Sequence, residues 1–376
     1  MKIKVNRKSL STCLTTLSVA LPTRNVIPIN YNFLFDIQED GKCDVYARNS
    51  ELQMKGFMTV TTKEAVKICV PGTTLMNTIK LLTEEEINFN YNPEKFILNI
   101  SAGKKKYKLT GENPKDYIPQ QVPEDAIEYK NLASKIIPHI TTLSKVVDWK
   151  DMRPQLQGIT FNVIDGNLIL SGTHGAFFFC RCLVDTNVDD PFSFVLPKEC
   201  SMALAQMKGH GDIEMFLGKR AVFFKVEGFE LRSSLVEVTS VIEIDKYFVY
   251  NDDQYLIMDK NDLGMATKRM VNYANSDEAT LRIEVMGDEL KLSSDNEDFG
   301  REAEEILDVS NHENKDMVVG LNMRYAAAIM GAIDSDKIKA FFVNFNKPVF
   351  FQNGDGNESS QVWGCAPIIL KEHLNG

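Results

Sequence analysis

The segment Val195 to Lys208, VLPKECSMALAQMK, reads as the end of a strand, a proline and one short helix. Cys200, Ala203, Leu204 and Met207 follow the i, i+3, i+4, i+7 spacing of an apolar helix face, while Lys198, Ser201, Ala205 and Lys208 fall on the opposite side. One face is made for a core and the other is small and basic. The same strand-then-helix layout occurs in Cys69 to Leu82 (CVPGTTLMNTIKLL) and Val319 to Ile333 (VGLNMRYAAAIMGAI), each about 125 residues away, and such a period seen three times implies three copies of one domain.

Working outward, each copy divides into two half-units, a helix followed by an antiparallel hairpin. In the first, Leu10, Cys13, Leu14 and Leu17 form a helical stripe, and Asn32 to Ile37 and Cys43 to Ala47 flank the turn Asp40-Gly41. The helix Thr73 to Leu82 follows, then Ile87 to Tyr91 and Phe96 to Ile100 around Pro93-Glu94. The second copy has the stripe Leu132, Ala133, Ile136, Ile140 and a hairpin around Asp165-Gly166; the third has Leu263, Ala266, Met270, Tyr273 and a hairpin around Gly287-Asp288. Asn113 to Asp125 carries three prolines and reads as the first connector, with a second near Thr239 to Asp253. The expected division is 1–124, 125–247 and 248–376, three α+β domains with two helices each on antiparallel sheets.

Composition narrows the function. With 44% hydrophobic and 25% charged residues the 376-residue chain is an ordinary globular one, and no apolar run reaches the ~18 residues of a spanning helix. The opening MKIKVNRKSL lacks a signal-peptide core, so a cytoplasmic location with no membrane contact is expected. Seven scattered cysteines fit reduced, buried thiols, with Cys180 and Cys182 on one strand face, and no Cys or His set has metal-ligand spacing. No cofactor fingerprint occurs, and SGTHG at Ser171 to Gly175 lies at a strand end with no carboxylate placed to orient its histidine. An enzyme is therefore not expected.

The net charge of −10 argues against a surface wrapped in nucleic acid, yet Arg7, Thr12, Thr15, Lys80, Lys135, Lys198, Lys208, Lys268 and Arg269 fall on outward helix faces. Acidic residues concentrate elsewhere, in Glu84 to Glu86, Asp189-Asp190 and Glu302 to Glu305. A smooth cationic surface of this kind suits phosphate attraction without base reading.

Over nearly its whole length the chain resembles the bacterial DNA polymerase III beta subunit family, the replicative sliding clamps. The resemblance is carried by Leu290 to Tyr325 above all, and by RNVIPI (Arg24 to Ile29), RPQLQG (Arg153 to Gly158), KRMVNYAN (Lys268 to Asn275) and APIIL (Ala366 to Leu370). It implies a crescent of three clamp domains that dimerises head to tail into a ring around double-stranded DNA, helices inside. It places Arg24 and Lys150 near the DNA, with Lys80, Lys198, Lys268 and Arg269 as further candidates from helix position. It implies a groove for short motifs of the replicative DNA polymerase, the clamp loader and repair proteins, made by Leu156, Thr173, Gly175, Phe178, Asn322, Tyr325, Val349, Cys365, Ala366, Pro367 and Ile368. It implies a homodimer seam between edge strands, with Tyr107 and Leu109 against Asn272 and Tyr273.

The chain also departs from the family. The family's Thr-Asp-Gly-His-Arg is Thr173, His174, Gly175, Ala176, Phe177 here; its Phe-Pro-Asp-Tyr is missing from Val238 to Asp245; a groove aromatic aligns with Glu278; and KEHLNG follows Leu370. A groove of altered specificity is expected. The competing reading is a repeat scaffold that binds only proteins and is never loaded on DNA.

Overall fold

The computed structural model describes residues 1–373 except 25–26, 123–125, 130–132, 176–177, 189, 208–212, 276–278 and 355–359. Among the described residues six α-helices alternate with antiparallel strands: α1 (Arg7–Leu17), α2 (Gly72–Leu81), α3 (Ala133–Leu143), α4 (Lys198–Gln206), α5 (Lys260–Met270) and α6 (Met323–Ala332). Their starts follow from local chemistry. The side chains of Asn6, Asp259 and Asn322 accept backbone N–H groups at the first turns of α1, α5 and α6, and Pro71 and Pro197 stand at the strand-to-helix corners before α2 and α4.

The chain forms two compact units, one of residues 1–141 and 196–237, the other of 142–195 and 238–376. In the first, an eight-stranded antiparallel sheet runs Val66–Pro71, Asn32–Ile37, Lys42–Arg48, Leu52–Thr59, Phe229–Ser234, Ala221–Val226, Glu214–Leu217, Ile127–Tyr129. Four more strands, Lys2–Asn6, Glu86–Asn92, Ile97–Ala102 and Lys105–Thr110, make a second sheet. Helix α1 lies over Leu52–Thr59, where glycine is needed: a Cβ on Gly56 would come within 2.7 Å of Cys13 Sγ.

In the second unit a nine-stranded sheet runs Ser193–Pro197, Gly158–Ile164, Asn167–His174, Phe178–Asn187, Gln361–Cys365, Val349–Asn353, Lys337–Phe341, Tyr255–Asp259, Ser310–His312. A five-stranded sheet runs Arg301–Asp308, Glu289–Asn296, Thr280–Met286, Met317–Asn322, Pro367–Ile368. Strands far apart in sequence join these sheets: Phe178 pairs with Cys365, and in the first unit Phe229 pairs with Gly56.

The expected helical stripes are buried at Leu10, Cys13, Leu14, Leu17, Leu75, Ile79, Ile136, Ile140, Cys200, Ala203, Leu204 and Met207, while Leu132 and Lys208 lie outside the described residues. Four expectations are corrected. Ser201 is fully buried: it stands three residues before Leu204, on the inner side, and its hydroxyl donates to the Pro197 carbonyl at 3.0 Å. Tyr273 is not helical, because α5 ends at Met270 and the chain turns there, leaving Tyr273 exposed. Phe96 belongs to a turn with φ +52 rather than to the strand. The hairpins grow into units of four or more strands, since strands such as Lys105–Thr110 (KKYKLT) sit at an edge and need no apolar alternation.

Candidate functional site

The hairpin Asn167–His174 to Phe178–Asn187 closes with His174 opposite Phe178 and Thr173 opposite Phe179, and Gly175 in the turn has φ +60. Beyond it the register continues sideways, Phe178 to Cys365 to Val349. All three are buried, as is Leu156 in the turn Pro154–Leu156 packed against the same hairpin. These four, expected on an open surface, are instead core residues beneath the hairpin.

What lies partly open is a second layer. Asn322 caps α6 by accepting the Arg324 N–H at 2.9 Å, and one turn on Tyr325 stacks with Phe178 at 5.7 Å between ring centres. Phe178 in turn stacks with Trp363 at 5.9 Å, and His174 sits 5.5 Å from Tyr325. The segment Ala366 to Ile368 completes the wall, with Pro367 opposite Leu321 and Ile368 opposite Gly320. Thr173, Gly175, Asn322, Tyr325, Ala366, Pro367 and Ile368 are all partly exposed. The site is therefore an aromatic stack flanked by a helix N-terminus and a short edge strand.

Sequence reasoning missed Trp363 and His174 as members. Trp363 stands three residues before the APIIL motif, and its near-complete burial under Phe178 depends on a cross-strand neighbour more than 180 residues away. His174 Nε2 faces Asp148 at 4.0 Å, whereas Ser171, three residues earlier on the strand, is buried on the other face. Burial pushes the Cys365 thiol up to about 12, which keeps it neutral, and burial raises the Tyr325 phenol too. Among the described residues no cluster of three or more side chains could hold a metal ion.

Of the cationic candidates, Arg24, Lys80, Lys150, Lys198 and Lys268 are exposed. Lys80 and Lys268 are in the last turns of α2 and α5, where a cation also meets the negative end of the helix dipole. Lys268 borders a shallow cleft of about 380 Å³ between α5 and α6, lined also by Gly264, Met265, Ala327 and Gly331. Arg269 is different. Its guanidinium grips Glu305 through Nε, at 2.8 Å, and Nη2, and that hydrogen bonding raises its pKa and lowers that of Glu305. The acidic run Glu302 to Glu305 is thus not remote from the cationic helices, because the strand that carries it runs beside α5.

Tyr107 and Leu109 lie on the edge strand Lys105–Thr110, with Tyr107 exposed. Asn272 and Tyr273 are in the turn after α5, tied by the Asn272 amide to the Arg269 carbonyl and by Arg301 to the Asn272 carbonyl. The edge strand on that side is Arg301–Asp308, which exposes Ile306 and follows an exposed Phe299. Its sequence, REAEEILD, carries both an acidic charge and the alternation of a strand.

Residues 1–121 match the family described as DNA polymerase III beta subunit, N-terminal domain, and residues 248–364 match DNA polymerase III beta subunit, C-terminal domain. A beta sliding clamp of Pseudomonas putida is 20% identical over 367 residues, 96% of this chain and 98% of its own length. One from Halalkalibacterium halodurans is 19% identical over 361 residues, 92% of this chain and 94% of its own. Among solved structures, the DNA polymerase sliding clamp of Pseudomonas aeruginosa superposes with a TM-score of 0.89 at 20% identity, covering 98% of this chain and all (100%) of that one. The beta subunit from the DNA polymerase of Streptococcus pyogenes gives 0.88 at 18% identity, covering 98% of this chain and 100% of that one.

Proposed function

Because this chain belongs to the DNA polymerase III beta subunit family, and so is a sliding clamp, we propose that two copies close head to tail around duplex DNA and hold replication proteins there through the aromatic groove. The domains would be 1–124, 125–247 and 248–376, and the work would take place in the cytoplasm, without catalysis. Arg24, Lys80, Lys150, Lys198 and Lys268 are the proposed phosphate contacts, with Arg269 as a member that must first leave Glu305. Weak, equivalent contacts of this kind attract the duplex and still permit sliding.

The observation that carries the reading is that each terminal family match contains an unpaired edge strand, and the two have opposite charge. Lys105–Thr110 exposes Lys105, Lys106 and Lys108, preceded by Lys104, while Arg301–Asp308 exposes Glu302, Glu304 and Asp308. An open edge invites another strand, and complementary charge sets which one. The proposed seam therefore pairs Tyr107 and Leu109 of one copy with Ile306 and its neighbours in the other, and Asn272 and Tyr273 flank it.

Groove binding is proposed to centre on Tyr325, Pro367 and Ile368 over Phe178 and Trp363, with an apolar short linear motif of a polymerase, loader or repair protein as ligand. The test is sedimentation of the free protein, followed by loading onto nicked circular DNA with its loader. The expected result is a dimer at micromolar concentration that stays on circles and leaves when they are cut. A monomer at every concentration, or no difference between circular and linear DNA, would favour the protein-only scaffold.

A further inference from the structure

We propose that residues Lys371–His373 act as a clasp that holds the groove wall Ala366 to Ile368 in place, so that the tail is a positioning element for peptide capture. This rests on the groove reading above. The wall strand Pro367–Ile368 pairs with Met317–Asn322 at only two positions, and a segment so short frays unless something ties it down. Three ties follow it in the chain. Leu370 is seated against Gly320, where an added Cβ would lie 2.8 Å from Leu370 Cδ2 and 2.5 Å from the Ile368 carbonyl oxygen. The Glu372 carboxylate accepts from Arg282 Nε at 3.2 Å, while Glu284 holds the same guanidinium through Nη1 at 2.8 Å and so pre-aligns it. The His373 N–H donates to the Leu370 carbonyl at 3.0 Å, and its ring meets Phe345 at 4.4 Å.

The clasp bridges more than it packs. Lys371 and Glu372 border an open cleft of about 450 Å³ whose other wall is polar, Thr280, Arg282, Asp295 and Asn296, so on that side the tail is held by polar contacts. A wall that is clasped only part of the time lowers apparent peptide affinity by the fraction of time it is in place.

The experiment compares the full chain with Glu372→Gln, His373→Ala and a chain ended after Leu370. It reads anisotropy of a labelled Gln-Leu-Ser-Leu-Phe peptide and amide hydrogen exchange at residues 366–370. Ending the chain after Leu370 is expected to weaken binding about fivefold and speed exchange at 366–370 while leaving α1 unchanged, since ordering a loose wall must then accompany binding. The two point variants fall between. Unchanged affinity and exchange, or tighter binding by the shortened chain, would overturn the clasp. If the full chain takes up none of this peptide, the groove prefers another motif, and exchange alone then decides: faster at residues 366–370 in the shortened chain supports the clasp, unchanged refutes it.

Discussion

Gly364 sits directly under the ring of Phe179: a Cβ there would come within 2.1 Å of Phe179 Cε2 and 2.3 Å of Cζ. The ring is itself hemmed in by Phe248 at 5.2 Å and Phe350 at 6.3 Å, so it has little room to yield. Gly364→Ala is expected to cost about 1–3 kcal/mol as an overpacked core, read as a lower urea midpoint with the slope unchanged. The cysteines set the alkaline limit. Burial pushes the thiols of Cys13, Cys69, Cys200 and Cys365 up to about 12. A raised folded-state pKa means the stabilisation is complete below the unfolded value near 9 and is lost as pH rises toward 12. Each such thiol then removes about 1.4 kcal/mol per pH unit in that window. Denaturation midpoints should hold up to about pH 9 and fall steeply from there towards pH 12, and thiol reagents at pH 8 should label the native chain only as fast as it opens. At this scale burial of the thiols was legible from their apolar neighbours, but the collision under Phe179 was not, because it depends on Phe179 pairing across to Gly364.

At the scale of single elements, α3 holds a proline in its interior, Pro138, exposed on the outer side. It lacks the N–H that a helix interior would use and crowds the preceding turn. Pro138→Ala is expected to stabilise the protein by about 1–2 kcal/mol, since that exposed site gains a helix hydrogen bond and loses a clash. Guanidinium or thermal unfolding measures it; a destabilised variant would mean that the kink is needed for packing. The helices themselves were readable from spacing, since apolar residues at 3.6-residue intervals have one way to be buried. Their ends were less so. Tyr273 fits the stripe of α5 by spacing yet lies past its end, and Ser201 looks like a surface residue but is small enough to be buried with its hydroxyl bonded to Pro197.

For the whole molecule, the charged edges set a reciprocal test. Lys106→Glu with Lys108→Glu should weaken dimerisation by tenfold or more, about 1.4 kcal/mol, and adding Glu302→Lys with Glu304→Lys should restore much of it. Raising salt from 0.05 to 0.5 M should loosen the original dimer and affect the reversed one alike, because exposed charges are screened over about 10 Å at 0.1 M salt. Sedimentation at each salt reads the result. Equal dimer stability in all variants would show that the two strands do not meet.

The sequence by itself determined the class of fold, the apolar faces of the helices and the family, because these rest on local periodicity and on motifs that survive as strings of residues. Only the tertiary structure decided which residues share a site. Phe178, Trp363 and Tyr325 come from three distant segments and meet through strand register and a helix cap, and Arg269 meets Glu305 because an edge strand runs beside α5. Periodicity tells a side chain which way to face; what it faces depends on chain segments that no local pattern specifies.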